Sequence, residues 1–168
     1  MKRVFGALIL GLLAGCGGGG EDAPELAFFR TPGGYPAVAG EYSVTEQQTA
    51  NSCGDVDPTP KTFTVTITQS DDLVAQVSDD APNVAALKAA GWTTSESPAT
   101  GKVTTNGRFA LSRDATMAHA TLGTLSLRES ITGQFTPIGS RGTGEAIVDY
   151  RSGGSCTVKS TFTSVKKL

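Results

Sequence analysis

From Gly40 onward, apolar and polar residues alternate with a period of two, which is typical of strands buried on one face. In the clearest stretch, residues 61–69, Phe63, Val65 and Ile67 share one face and four threonines share the other. Threonine and valine also favour extended backbone because they branch at Cβ. The pattern therefore predicts an all-β protein with an antiparallel sheet.

Further strands are predicted from the same alternation and from turn residues between the runs. Together they make eight or nine strands joined by short turns, an antiparallel meander that closes into a small barrel or, alternatively, folds as a β-sandwich. This arrangement is similar to calycin-like barrels at the level of architecture. The predicted strands lie around Tyr42 and Val44, around Leu73, Ala75 and Val77, and at Lys102–Thr105, Arg108–Ser112, Thr116–Arg128, Ile131–Phe135, Glu145–Arg151 and Ser155–Ser164. Asn106-Gly107 predicts a type I′ turn between the third and fourth of these, and Gly123 is expected to be an irregularity within Thr116–Arg128. In the last strand Cys156, Val158 and Phe162 share a face.

One segment departs from the alternation and predicts a single short helix near residues 82–90. Asp80 or a neighbour would cap it, Pro82 lies in its first turn, and Gly91 follows its end. The one tryptophan, Trp92, comes directly after Gly91 and is expected to pack back on the helix.

The first sixteen residues have the composition of an export signal. Lys2 and Arg3 precede an apolar run, Val4–Leu13, which is too short to cross a bilayer because a spanning helix needs roughly 20 residues. Leu13-Ala14-Gly15-Cys16 follows, an aliphatic residue and two small residues before a cysteine. This order resembles the lipobox of bacterial lipoproteins, which signal peptidase II cleaves.

The resemblance implies that residues 1–15 are removed and that Cys16 carries a diacylglyceryl group and, in many bacteria, an N-terminal acyl chain such as palmitate. The membrane would then be a partner through this N-terminal lipid anchor, and the protein would reside in the cell envelope. In enterobacterial lipoproteins an Asp after the cysteine favours the inner membrane, so Gly17 implies the outer membrane. The alternative is an ordinary secretory signal in which Cys16 is incidental.

The remaining chain divides into a tether and one domain. Residues 16–25 contain four consecutive glycines and three acidic residues, which form a flexible spacer. Residues 26–168 are predicted to form a single β-domain. Its first apolar cluster, Leu26–Phe29, is expected to pack on the domain as a lid, with an exposed contact patch as the alternative.

Cys53 and Cys156 remain once Cys16 is assigned to the lipid. An exported chain meets an oxidising compartment, so a disulfide between them is expected, with two free thiols as the alternative. Disulfide geometry requires Cα atoms within about 7 Å. Because Cys53 follows the first strand and Cys156 begins the last, these two strands should be neighbours, which favours a closed barrel.

Composition narrows the range of partners. The net charge is −2, and removal of Lys2 and Arg3 leaves 12 basic against 16 acidic side chains, or −4. Nucleic acid is not an expected partner because it requires a basic patch. Charge alone would also not hold this anionic body on an anionic membrane.

No group of residues predicts catalysis, a metal site or a cofactor. The single His119 lacks a nucleophile motif, and Ser164-Val165-Lys166-Lys167 lies in strand-like sequence. Gly142-Thr143-Gly144 is expected to be a turn, since it precedes no helix that could bind phosphate. The acidic pairs Asp55/Asp57, Asp71/Asp72 and Asp79/Asp80 are expected at turns, with at most weak calcium binding. The arginines are expected at strand edges, with the lining of an anionic pocket as the alternative; they are Arg108, Arg113, Arg128, Arg141 and Arg151.

The sequence thus predicts a non-enzymatic envelope lipoprotein whose domain acts as an interaction or structural module. The alternative is a lipocalin-like barrel that binds a small apolar ligand, since eight strands can enclose one. The two hypotheses differ in the interior: a ligand requires a cavity near 300 Å³. Candidate partners are an envelope protein or that ligand.

Overall fold

The computed structural model describes residues 28–78, 88–95, 97–150 and 154–168 of the chain. Within these ranges the fold is built from β-strands connected mostly by short turns. The strands are β1 (Gly40–Asn51), β2 (Lys61–Ser70), β3 (Leu73–Val77), β4 (Trp92–Thr94), β5 (Ala99–Val103), β6 (Arg108–His119), β7 (Gly123–Thr136), β8 (Gly139–Tyr150) and β9 (Ser155–Lys166).

The strands form one antiparallel sheet that closes on itself. Its order is β4-β6-β5-β3-β2-β1-β9-β8-β7, and β7 pairs again with β6. The first and last strands pair along most of their length, from Tyr42↔Lys166 to Asn51↔Val158. The prediction of a barrel, and of neighbouring first and last strands, is therefore confirmed, and the sandwich alternative is wrong.

The strands β4 and β5 lie one after the other along the same edge of β6. Thr94 pairs with Met117 and Thr100 with Ser112. Pro98 lies between the two strands and lacks the N–H that regular pairing needs. The closed wall accordingly has eight strands, with β4 as an added strand.

The sequence reading was wrong about one long strand. Thr116–Arg128 is divided between β6 and β7 by a turn at 120–122, and the predicted strand Ile131–Phe135 belongs to β7. Gly123 ends the turn with a φ of 86°, and the His119 imidazole accepts the N–H groups of Thr121 and Leu122. The left-handed glycine and the His119 side chain together stabilise this reversal.

The turn at Asn106-Gly107 exists but is not type I′. Gly107 has a φ of 83°, while Asp71 is the only non-glycine residue with positive φ in the described part of the chain. Gly107 donates to the Thr104 carbonyl and Thr104 donates to the Arg108 carbonyl, each at 2.8 Å. The loop therefore has three residues, with Gly107 in the left-handed conformation beside a bulge.

Most of the predicted helix, residues 79–87, lies outside the described residues. Lys88 and Ala89 are helical, and Gly91, with a φ of 87°, donates to the Lys88 carbonyl at 3.0 Å. Gly91 thus terminates the helical turn as expected. Trp92 begins β4, and its ring lies 5.2 Å from the His119 ring.

The segment 28–39 covers one end of the barrel, which we call the capped end; the turns β2–β3, β5–β6 and β7–β8 lie there too. Val38 and Pro36 are buried, and both bond to the side chain of Gln69, through the Val38 N–H (2.7 Å) and the Pro36 carbonyl (2.8 Å). Phe28 packs against the core, whereas Phe29 is 90% exposed. The lid prediction therefore holds for Phe28 and not for Phe29; Leu26 and Ala27 lie outside the described residues.

Candidate functional site

The interior of the barrel is the natural place to look for a ligand site, because inward side chains from every wall strand meet there. Near the capped end it is apolar and densely filled. The Phe109 and Phe135 ring centroids are 4.4 Å apart, and Phe109 and Phe162 are 6.4 Å apart. Tyr42 is also buried and donates its hydroxyl to the Val38 carbonyl at 2.7 Å.

Burial raises the pKa of the Tyr42 phenol to about 12. The ring is 2% exposed, and an ionised phenolate there would lose its hydration without gaining a cation at contact distance. The Lys166 ammonium lies 5.9 Å from the ring centroid. Tyr42 is therefore a neutral structural residue that holds the capping segment in place.

Glycines in the wall make room for these rings. A Cβ on Gly142 of β8 would lie 2.8 Å from the Phe162 ring and would overlap the Thr132 carbonyl, while one on Gly133 of β7 would lie 2.8 Å from the Phe109 ring. The prediction that Gly142-Thr143-Gly144 forms a turn is wrong, since all three residues lie inside β8. Here glycine serves close packing rather than chain reversal.

Farther from the capped end the interior becomes polar and charged. Arg113 of β6 faces Glu129 of β7 directly across the ladder, with Nε and Oε2 2.5 Å apart. The Arg113 Nε is buried and makes no aligned hydrogen bond, so the pair is a charge contact. Glu46 accepts a hydrogen bond from the Ser160 hydroxyl at 2.5 Å. Both carboxylates and the guanidinium line the same cavity.

Two consequences follow for the sequence predictions. Arg113 does not lie at a strand edge, and the expectation that it does is wrong; its side chain is only 19% exposed. A signal for this was present, because Arg113 continues the inward series of Phe109 and Leu111, and Glu46 continues that of Tyr42 and Val44. The alternation along each strand places both residues inside, whereas charged residues usually lie at the surface.

The cavity that remains is small. It measures about 60 Å³, lined by residues that include Phe63, Gln76, Ser140 and Ser164 besides the charged groups. A cavity of this size holds a few water molecules, whereas small-molecule sites measure about 300–1,000 Å³. Within the described residues, the interior therefore lacks the space that the ligand-binding alternative requires.

The predicted cysteine pair lies at the end of the barrel opposite the capped end. Cys53 and Cys156 are joined as a disulfide with their Cα atoms 5.0 Å apart. Beside it, Ser52 donates its N–H to the Thr157 carbonyl at 2.9 Å, which extends the β1–β9 pairing past the end of β1. The bond thus fastens the closing seam of the barrel. We call this region the disulfide end.

His119 has a structural role in the described structure. Its Nε2 lies 3.2 Å from the Ala90 carbonyl and therefore carries the hydrogen, while Nδ1 accepts from the main chain of the β6–β7 turn. Ser164 and Lys167 do not form a catalytic pair. Ser164 is buried against Ser140, and Lys167 lies outside against Glu41 and Thr64.

The acidic pairs at Asp55/Asp57 and Asp71/Asp72 lie in loops as predicted, while Asp79 and Asp80 lie outside the described residues. Hydrogen bonds from Lys61 and Thr59 lower the pKa of Asp57 to about 2. Where the structure is described, no three acidic, histidine or cysteine residues come together as metal ligands.

The other arginines lie on the outer wall. Arg128 lies 3.7 Å from Asp114, Arg108 and Arg141 are exposed, and Arg151 is outside the described ranges. Cys16 and the whole signal region also lie outside them. Among the residues that the structure describes, no helix is long and apolar enough to span a membrane.

Comparison with known proteins adds no family. No family model matches the chain, and no curated protein and no solved structure is significantly similar to it.

Proposed function

We propose that this protein is a lipid-anchored lipoprotein of the bacterial cell envelope, and that its β-barrel is a non-enzymatic interaction or structural module. The sequence feature that supports the anchor is the order of the first sixteen residues, which ends in Leu13-Ala14-Gly15-Cys16. Two acyl chains would suffice for stable attachment, because each buried CH₂ contributes about 0.8 kcal/mol. Gly17 favours the outer membrane.

The filled interior is the observation that carries the second half of the proposal. A cavity of about 60 Å³ between a charge pair and packed aromatic rings supports a rigid body that acts through its outer surface. A barrel closed by hydrogen bonds and a disulfide also has few unpaired strand edges, which suits a domain exported to the cell envelope.

The anchor is tested by mass spectrometry of the N-terminal peptide, after expression with the native signal in a Gram-negative host. The expected peptide begins at Cys16 and carries the masses of a diacylglyceryl group and an amide-linked acyl chain. Cys16→Ser should abolish both the modification and detergent-phase partition, while the matched variant Cys53→Ser should retain them. An unmodified Cys16, or cleavage elsewhere, would refute the anchor.

The module is tested by native mass spectrometry of protein purified from its own membrane. We expect the mass of the lipidated chain alone, and cross-linking in intact envelope should capture a protein neighbour. A stoichiometric small molecule that survives in the spectrum and is lost on unfolding would favour the ligand-binding alternative instead.

A further inference from the structure

The capped end is the part of the barrel nearest to the proposed anchor. Residues 16–27 connect Cys16 to Phe28, and twelve residues span at most about 40 Å. The Phe28 ring lies beside Gly107, 3.3 Å from where a Cβ on that glycine would be, so the chain enters the barrel at the β5–β6 turn. The disulfide end lies a full strand length away.

Exposed apolar side chains concentrate at the same end. Eight large apolar residues are exposed in the described structure, and five belong to the capped end. Phe29 is 90% exposed in the capping segment, and Ile138 is 63% exposed at the tip of the β7–β8 turn. The Ile138 carbonyl accepts from Lys166, which places Ile138 beside the end of β9. The five are Phe29, Leu73, Ile138, Val165 and Leu168.

Positive charge concentrates there too. At the capped end the described residues include six basic and three acidic side chains, while the rest of the described barrel has five basic and seven acidic ones. Two of the three acids are paired, Asp72 with Lys102 at 2.8 Å and Glu41 with Lys167 at 3.7 Å. The six basic residues of the capped end are Arg30, Lys102, Arg108, Arg141, Lys166 and Lys167, and the three acidic ones are Glu41, Asp71 and Asp72.

We propose that the capped end lies directly on the anionic lipid surface of the membrane that holds the anchor, with Phe29 and Ile138 at the level of the headgroups. This inference rests on the lipid anchor proposed above. Apolar side chains rimmed by cations are the combination that binds interfaces, and each Lys or Arg near an anionic surface strengthens binding about fivefold.

The overall charge of −4 does not oppose this contact. Screening reduces electrostatic interactions beyond about 8 Å at physiological salt, and a twelve-residue strand is several times longer than that. Acidic residues at the disulfide end are therefore too far away to be repelled, whereas the tether residues Glu21, Asp22 and Glu25, which lie between Cys16 and the capped end in the sequence, offset part of the attraction. In this orientation the disulfide end points away from the bilayer and is the surface available to an envelope partner.

The test uses the mature chain with its disulfide intact and with Cys16→Ser, so that no lipid contributes. Vesicles of phosphatidylglycerol with phosphatidylcholine, and of phosphatidylcholine alone, are sedimented with the protein at low and physiological salt. We expect binding to the anionic vesicles that weakens as salt rises. Arg108→Gln should weaken it about fivefold and Ile138→Ser about tenfold, because a partly buried aliphatic side chain is lost from the interface.

Matched variants at the disulfide end provide the controls. Leu122→Ser replaces an equally exposed turn residue (69% exposed), and Arg128→Gln removes an exposed arginine from β7; neither should change binding. Equal losses at both ends, or no preference for anionic vesicles, would overturn the proposal. So would a dimer in sedimentation velocity that Ile138→Ser dissociates, since the patch would then bind a second copy. These outcomes leave the N-terminal mass of the lipidated protein unaffected, so the anchor and the docking surface fail separately.

Discussion

The disulfide at the closing seam of the barrel should contribute a large part of its stability. Cys53 and Cys156 are 103 residues apart, so the bond restricts nearly the whole described domain in the unfolded state. In the chain-entropy model, closing a loop of this length is worth about 4.7 kcal/mol at 25 °C. Natural domains of this size are stable by only about 5–15 kcal/mol.

The variant Cys53→Ser is the cleanest perturbation because Cys53 is exposed, whereas Cys156 is 7% exposed and a serine there would bury a hydroxyl. A domain of about 140 residues loses roughly 3–4 °C of Tm for each kcal/mol. Cys53→Ser should therefore melt about 15 °C lower than the parent chain without reductant. In urea its transition should occur at a lower concentration, with a steeper slope because the unfolded chain is more expanded.

Reduction supplies the control for this experiment. Dithiothreitol should lower the Tm of the parent chain to near that of Cys53→Ser and should leave the variant unchanged. Scanning calorimetry and far-ultraviolet circular dichroism both report the transition. Equal melting of the parent and Cys53→Ser under non-reducing conditions would refute the reasoning, because the seam would then be held by the β1–β9 hydrogen bonds alone.

Three further predictions concern the interior. Gly142→Ala should lower the free energy of unfolding by about 1–3 kcal/mol because the new Cβ would overlap the Thr132 carbonyl. Gly54→Ala is the control: its Cβ would lie in open space, and the free energy of unfolding should change by less than about 0.5 kcal/mol. Similar urea midpoints for the two variants would contradict the packing argument. The Tyr42 phenol should ionise near pH 12, seen as phenolate absorbance that is missing in Tyr42→Phe. Because its pKa is 10.0 in the unfolded chain and about 12 in the folded one, its contribution to stability is complete below pH 10 and is lost as the pH rises through 12. Glu129→Gln should destabilise by about 1–2 kcal/mol by leaving Arg113 unpaired, and adding Arg113→Met should recover most of that loss; additive losses in this double-mutant cycle would show that the pair is not coupled.

The strands were predicted well wherever the alternation of apolar and polar residues along the chain is regular. The series Phe63, Val65 and Ile67 predicts a strand over residues 61–69, and the structure has β2 at Lys61–Ser70. Cys156, Val158 and Phe162 share one face of β9 as predicted. The reversal after His119 was missed because Gly123 was interpreted as an irregularity within one strand, whereas it ends a three-residue loop in the left-handed conformation. Nothing in Thr121-Leu122-Gly123 distinguishes a turn from a strand irregularity until the imidazole is placed.

The charged interior was missed for a different reason. Strand parity alone places Arg113 inside, but a charged residue is normally outside because losing hydration costs free energy. The β6–β7 hairpin places Glu129 opposite Arg113, which compensates part of that cost. The expectation for the arginines therefore failed at Arg113, whose partner Glu129 lies on the neighbouring strand beyond a turn that the sequence pattern did not reveal.

The sequence by itself determined that the domain is all-β, that its first and last strands meet and that two cysteines lie at that seam, because strand periodicity and disulfide reach are local rules. Only the tertiary structure decided that the interior is filled. Whether Gly142 forms a turn or makes space for Phe162 depends on β7 and β9, the strands that pair with β8 on either side, and no pattern along one strand contains the distances to them. The same holds for the capped end, where residues from five distant parts of the chain form one cationic and apolar surface.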